Sequence, residues 1–183
     1  MTILVLLLVT ILSEISARVL FYLDGTKNPV YHIDCVIEAI LVTLYFLRTN
    51  NLSNRRLLPT AIFFWVLIAL ANMTFLQPIK SLNSNFILLE NFVIIVMALF
   101  SLYKILLNED VAMVTREPHF FFWTLFLVLS SGSFFFWLFI KIFAHSANGK
   151  YLNLSQSIHI VINLAVYLGI GVTFFFYPKE RPE

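Results

Sequence analysis

The chain has 183 residues, of which 60% are hydrophobic and only 12% are charged, and it contains twenty phenylalanines. Its mean hydropathy of +0.89 excludes a soluble domain with one buried core and indicates an integral membrane protein. The net charge of +2 includes no basic run, which excludes nucleic-acid binding, and the single cysteine, Cys35, excludes an internal disulfide.

Six segments contain the roughly twenty mostly apolar residues that a membrane-spanning helix needs. The turn formers Gly25, Asn28 and Pro29 separate the first two segments, and Pro59 fits the first turn of the third helix. The predicted fold class is all-α, a polytopic integral membrane helical bundle that forms one transmembrane domain over residues 1–183. The six predicted helices cover about residues 2–22, 31–47, 57–76, 86–107, 119–143 and 152–177.

The fifth segment contains a patch of four small residues, Ser130, Ser131, Gly132 and Ser133. Small side chains let helix backbones approach closely, so the patch predicts a helix crossing rather than a catalytic serine. No Gly-x-Ser-x-Gly pattern is present to support hydrolytic chemistry.

Basic residues near the helix ends predict the orientation, because they are more frequent on the cytoplasmic side. One side holds Arg48, Arg55, Arg56, Lys104, Arg116, Lys179 and Arg181, and the other holds Arg18, Lys27, Lys80, Lys141 and Lys150. This bias places both termini in the cytoplasm, and the predicted location is the cytoplasmic (inner) membrane. The first helix has no basic flank and no clear cleavage site, so a cleaved signal peptide is not expected.

Three glutamates, Glu14, Glu38 and Glu90, lie inside apolar segments. Charged groups in a bilayer are costly and normally face the protein interior or a wet cavity, so they are candidates for a functional site. From a rise of about 1.5 Å per residue, Glu14 and Glu38 lie near the middle of the bilayer, and Glu90 and Asn91 lie near the outer end of the fourth helix.

Helical spacing groups these polar residues further. Asp34 and Glu38 are four residues apart, as are His159 and Asn163, so each pair lies on one face of its helix. We therefore predict a ligand- or proton-binding pocket that opens to the extracytoplasmic side. Its candidate residues are Glu38, Glu90, His159, Asn163, Asp34, Glu14 and Asn91.

Two other interpretations of the polar residues stay open. Neutral glutamates could form hydrogen bonds between helices in a purely structural role. Alternatively, Glu38, Glu90 and His159 could hold zinc, iron or manganese, although no His-Glu-x-x-His, Glu-x-x-His or paired-cysteine spacing is present. No cofactor is predicted.

Four short stretches resemble a group of small, uncharacterised multi-helix membrane proteins of Bacteroidetes. They are Tyr31-His32-Ile33-Asp34-Cys35-Val36-Ile37-Glu38, Phe86-Ile87-Leu88-Leu89-Glu90-Asn91-Phe92, Glu117-Pro118-His119-Phe120-Phe121-Phe122-Trp123 and Ile158-His159-Ile160-Val161-Ile162-Asn163. The resemblance places the polar signature of the group on Glu38, Glu90, Pro118, Trp123, His159 and Asn163. It also implies a seven-helix fold of which this chain lacks the first helix, and it implies no activity.

These observations leave three hypotheses of function. The leading one is a sensory or ligand-binding membrane module that acts on a cytoplasmic or membrane signalling partner, or on a second copy of itself. The second is a small proton- or ion-coupled transporter, although the helices show little of the mid-membrane glycine and proline interruption typical of carriers. The third is an intramembrane enzyme that uses a glutamate and His159 as acid and base, and no catalytic motif supports it.

Overall fold

A computed structural model describes residues 2–52, 56–108, 117–143 and 149–176. These residues form helices and no strands, which confirms the all-α prediction. The helices are α1 (Thr2–Asp24), α2 (Asn28–Thr49), α3 (Leu57–Ala71, continued by a π-helical turn at Asn72–Leu76), α4 (Ser84–Asn108), α5 (Pro118–Phe143) and α6 (Gly149–Phe176).

Several helices extend beyond the apolar segments that predict them. Helix α2 begins at Asn28 because Pro29, which needs no backbone N–H partner, lies in its first turn. Helix α1 continues to Asp24 and stops where Gly25 adopts a φ of +70°, a conformation that glycine accepts without strain. Polar residues such as Asp24 and Asn28 therefore belong to the helices, whereas the prediction ended the first helix at Tyr22 and began the second at Tyr31.

Five helices are long and apolar enough to cross a membrane, and within the described residues α6 contributes a shorter apolar stretch, Ile160–Thr173. Large apolar side chains cover their outer faces, for example Leu8 (60% exposed) and Phe63 (67% exposed). Soluble proteins rarely expose this much apolar surface to water, so the fold is compatible with a membrane-embedded protein. The candidate spans are Thr2–Asp24, Asn28–Thr49, Leu57–Leu76, Ser84–Leu107 and Pro118–Ile142.

The chain divides into two compact units, Met1–Glu90 and Asn91–Glu183. We call them unit 1 and unit 2 and describe each by itself. In unit 1, α2 packs against both α1 and α3, and in unit 2, α5 packs against α6. The single domain over residues 1–183 stays a prediction.

The core of unit 1 is centred on Trp65 of α3, which is only 2% exposed. Its indole Nε1 donates a hydrogen bond to Oγ1 of Thr43 in α2 at 2.9 Å. Its ring lies edge-on to that of Phe86 in α4, with the ring centroids 5.7 Å apart. Through Trp65, α3 thus contacts both α2 and the start of α4.

In unit 2, the small-residue patch lies where α5 packs against α6. Ser130 and Ser133 are buried. A Cβ atom placed on Gly132 would lie 3.0 Å from Cδ1 of Ile162 in α6. A larger residue at position 132 would therefore push Ile162 away from α5.

Candidate functional site

Three carboxyl groups lie within electrostatic range of one another inside unit 1. We call Asp34, Glu38 and Glu90 the acid cluster. Asp34 and Glu38 lie on one face of α2 and are partly buried, and Glu90 comes from α4 and is 3% exposed. Glu90 lies within electrostatic range of both residues of α2, and Asp34 lies within range of Glu38. Packing of the helices therefore brings together acids that are 52 to 56 positions apart in the sequence.

The acid cluster has few hydrogen-bond partners among the described residues, and one of them is a weak thiol donor. The thiol of Cys35 donates a hydrogen bond to the Glu90 carboxyl group, and the Ser13 hydroxyl of α1 lies within hydrogen-bonding reach of Asp34. The other carboxyl oxygen of Glu90, Oε1, is buried and has no hydrogen-bond partner among the described residues. Leaving a polar atom in this state costs free energy.

Electrostatic repulsion within the acid cluster indicates what it can bind. Carboxylates that lie close together in a low dielectric repel each other strongly when they are ionised. Such groups bind protons or a cation in a coupled manner, since neutralising one carboxylate changes the affinity of its neighbours. The arrangement therefore fits reversible uptake of positive charge.

Glu14 of α1 flanks the acid cluster. Its side chain is exposed, its Oε1 accepts a hydrogen bond from the hydroxyl of Tyr31 at 3.4 Å, and it lies within electrostatic range of Asp34. Of the predicted site residues, the structure thus places Glu14, Asp34, Glu38 and Glu90 in one part of unit 1.

The other predicted site residues belong to unit 2. Asn91 is its first residue and is buried, and Asn163 lies in α6. His159 also lies in α6, and its side chain is outside the described residues. A common pocket that includes His159 and Asn163 with the glutamates stays a prediction.

Sequence analysis assigned no role to Ser13 or Cys35, although both contact the acid cluster. Cys35 directly follows Asp34 and precedes Glu38 by three residues, so helical spacing placed it beside the acids. Ser13 precedes Glu14 in α1, and its contact with Asp34 depends on how α1 packs against α2. A single sequence contains no signal for that contact.

A second polar group in unit 1 consists of amide, hydroxyl and imidazole side chains, and we call His32, Asn72, Gln77, Asn83 and Ser84 the loop latch. Asn72 Nδ2 donates to Asn83 Oδ1 at 2.8 Å, and Gln77 Nε2 donates to Ser84 Oγ at 2.9 Å. The buried His32 places Nε2 3.1 Å from the carbonyl oxygen of Ser81. These bonds connect α2, the π-helical turn and the start of α4, and they fix the intervening loop.

Two cavities are lined by described residues of unit 1. One has a volume of about 350 Å³ and an almost entirely apolar lining that includes Val36, Met73 and Phe86, with His32 and Asn83 as its polar groups. It lies on the side of α2 that is opposite to Asp34 and Glu38 by helical periodicity. The other has a volume of about 360 Å³, lies between α1 and α2, and has charged and aromatic walls.

Among the described residues, no three histidine, cysteine, aspartate or glutamate side chains are arranged to hold a metal ion. The side chain of His159, which the metal hypothesis requires, is outside that set. The predictions of no cofactor and of a minority metal site at Glu38, Glu90 and His159 both stay predictions.

Comparisons of the chain with protein families, with curated proteins and with solved structures find no match. The fold itself defines the class, an all-helical protein with five helices long and apolar enough to span a membrane. The similarity to small Bacteroidetes membrane proteins stays a prediction.

Proposed function

We propose that this chain is a polytopic protein of the cytoplasmic membrane that binds a proton or a small cation at its acid cluster. The site would be reached from the extracytoplasmic side, with both termini in the cytoplasm and six helices crossing the bilayer. Occupancy would change how α2 packs against α4 and so alter the surface offered to a cytoplasmic or membrane signalling partner, or to a second copy of the chain.

The environment of Glu90 supports this proposal most strongly. A buried carboxyl oxygen without a hydrogen-bond partner among the described residues, beside two further acids, is unfavourable for stability. An arrangement of this kind inside a membrane helix is typical of proton and ion sites. The weak thiol donor of Cys35 leaves the carboxyl group able to accept a proton or a cation.

Infrared spectroscopy tests this proposal, because protonated and ionised carboxyl groups absorb at different frequencies. We expect a pH titration of the reconstituted protein to show a reversible carboxyl change that Glu38→Gln and Glu90→Gln each reduce. Asp24→Asn, which removes an exposed acid at the end of α1, is the matched control and should leave the change in place. Equal titrations in all four proteins would contradict proton binding by the acid cluster.

Sodium or potassium ions added at constant pH test the cation version of the proposal. A shift of the carboxyl bands that depends on the ion and on Glu90 would assign the ligand as a cation rather than a proton. Vesicles that contain the protein should show no proton flux under a gradient. Sustained proton flux that Glu90→Gln abolishes would show that the protein is a carrier rather than a binding module.

A further inference from the structure

The charged cavity of unit 1 is lined by none of the three acids of the acid cluster, although its Glu14 flanks them, and it has a different chemistry. Its volume is about 360 Å³, and we call it the headgroup pocket. It is lined by Glu14, Arg18, Phe21, Tyr22, Lys27 and Tyr31, which come from the end of α1, the following turn and the start of α2.

The outer end of the headgroup pocket, at Tyr22 and Lys27, lies where lipid headgroups would meet α1 in a bilayer, and Glu14 lies deeper along the helix. Lys27 directly precedes α2, and Arg18 lies six residues before the end of α1, or about 9 Å along the helix axis. Tyr22 is 86% exposed and Phe21 is 53% exposed. Aromatic and long basic side chains at a helix end are typical of the membrane interface, where the basic groups extend toward the headgroups.

The charges of the headgroup pocket complement a phosphate diester. Arg18 and Lys27 contribute two positive charges and Glu14 one negative charge, so the formal sum is +2 − 1 = +1. A phosphodiester carries one negative charge. The arginine fork can bind two phosphate oxygens, and the lysine adds a point charge.

Tyr31 contacts both Lys27 and Glu14 in the headgroup pocket. The Nζ atom of Lys27 lies 5.4 Å from the centroid of the Tyr31 ring, in cation–π geometry. The hydroxyl of the same tyrosine donates to Glu14 Oε1. The basic and acidic sides of the pocket are therefore connected through one aromatic residue.

An apolar surface continues from the headgroup pocket along α1. Leu4, Leu8 and Ile11 are each more than half exposed, and their spacing of three to four residues continues the face of Glu14 and Arg18. A lipid whose phosphate lies in the pocket would place its acyl chains along this face. We infer that the headgroup pocket binds the phosphate group of a glycerophospholipid from the surrounding bilayer.

Native mass spectrometry with short-chain phosphatidylglycerol tests this inference on the full chain. We expect the double variant Arg18→Gln/Lys27→Gln to bind the lipid at least about tenfold more weakly, because two charge-assisted contacts are lost. The matched control is Lys80→Gln. Lys80 is exposed at the same end of unit 1, where its carbonyl oxygen accepts a hydrogen bond from Asn28, but it does not line the pocket. The control should bind as the natural chain does.

Two outcomes would overturn the inference. Equal weakening by Lys80→Gln would show general attraction to the positive end of the unit. Displacement of the lipid by glycerol 3-phosphate at equal concentration would show a site for soluble phosphate esters instead. Neither outcome bears on the acid cluster, so a failure here is distinguishable from a failure of the proposed function.

Photocrosslinking of the unmodified chain gives a second test. It uses no substitution, so its result does not depend on whether a variant folds. A phosphatidylglycerol with a photoreactive headgroup should label the peptide that contains residues 14–31. Labelling spread evenly over all helix ends would contradict a defined headgroup pocket.

Discussion

The loop latch and the acid cluster of unit 1 contain buried polar groups but differ in how these groups are paired. The latch consists of amide, hydroxyl and imidazole side chains that bond to each other or to the backbone, and its Asn72 Oδ1 is a buried atom without a hydrogen-bond partner among the described residues. The acid cluster consists of three carboxyl groups, with a thiol and a hydroxyl as neighbours. Both regions contain one buried oxygen without a partner among the described residues, so the difference in the remaining bonds favours a stabilising role for the latch and agrees with the proposed binding at the acid cluster.

The largest loss of stability is expected in the loop latch. Asn83→Ala removes the acceptor of Asn72 Nδ2 and leaves a buried amide unpaired, which should lower the free energy of unfolding by about 1–3 kcal/mol. Unfolding in mixed micelles measures this change. Asn28→Ala, which removes an exposed hydrogen bond to the carbonyl of Lys80, is the control and should change it by less than about 0.5 kcal/mol. Equal losses in the two variants would remove the distinction between latch and surface.

A smaller loss is expected from Thr43→Val in the core of unit 1. The variant keeps the shape of the side chain but removes the acceptor of Trp65 Nε1, and hydrogen bonds between membrane helices contribute about 0.6 kcal/mol on average. Thr49→Val is the control, since the hydroxyl of Thr49 bonds to carbonyls of its own helix and accepts a hydrogen bond from the adjacent Asn50 side chain, and none of these bonds joins two helices. The same micelle measurement should show a larger effect for Thr43→Val, and the reverse order would contradict the interhelical role of Thr43.

Much of the fold could be predicted from the sequence because apolar length is a strong signal for helices in a membrane. Every predicted segment corresponds to a helix in the described residues, while polar helix ends such as Asn28 and Ser84 were not included. The pairing of Asp34 with Glu38 follows from helical spacing alone. Their approach to Glu90 and to Ser13 depends on packing between helices, which one sequence does not encode in any local pattern.

The loop latch illustrates the same limit. The stretch from Gln77 to Asn85 is polar and contains a proline, so it predicts a loop and nothing more. Its hydrogen bonds to α2 and to the π-helical turn involve residues far apart in sequence, such as His32 and Ser81. Only the folded arrangement shows that these residues form hydrogen bonds with neighbouring segments and are not simply solvated loop residues.

The stability of Glu90→Met tests the division between the two regions most directly. Methionine has a similar volume and no polar atom that needs a strong partner, so replacing a carboxyl group that has one thiol donor and one unpaired buried oxygen should leave the unfolding free energy equal or higher. We predict that thermal unfolding of this variant in nanodiscs occurs at or above the temperature of the natural chain. A melting temperature several degrees lower, comparable to that of Asn83→Ala, would show that Glu90 is a structural residue and would contradict the account.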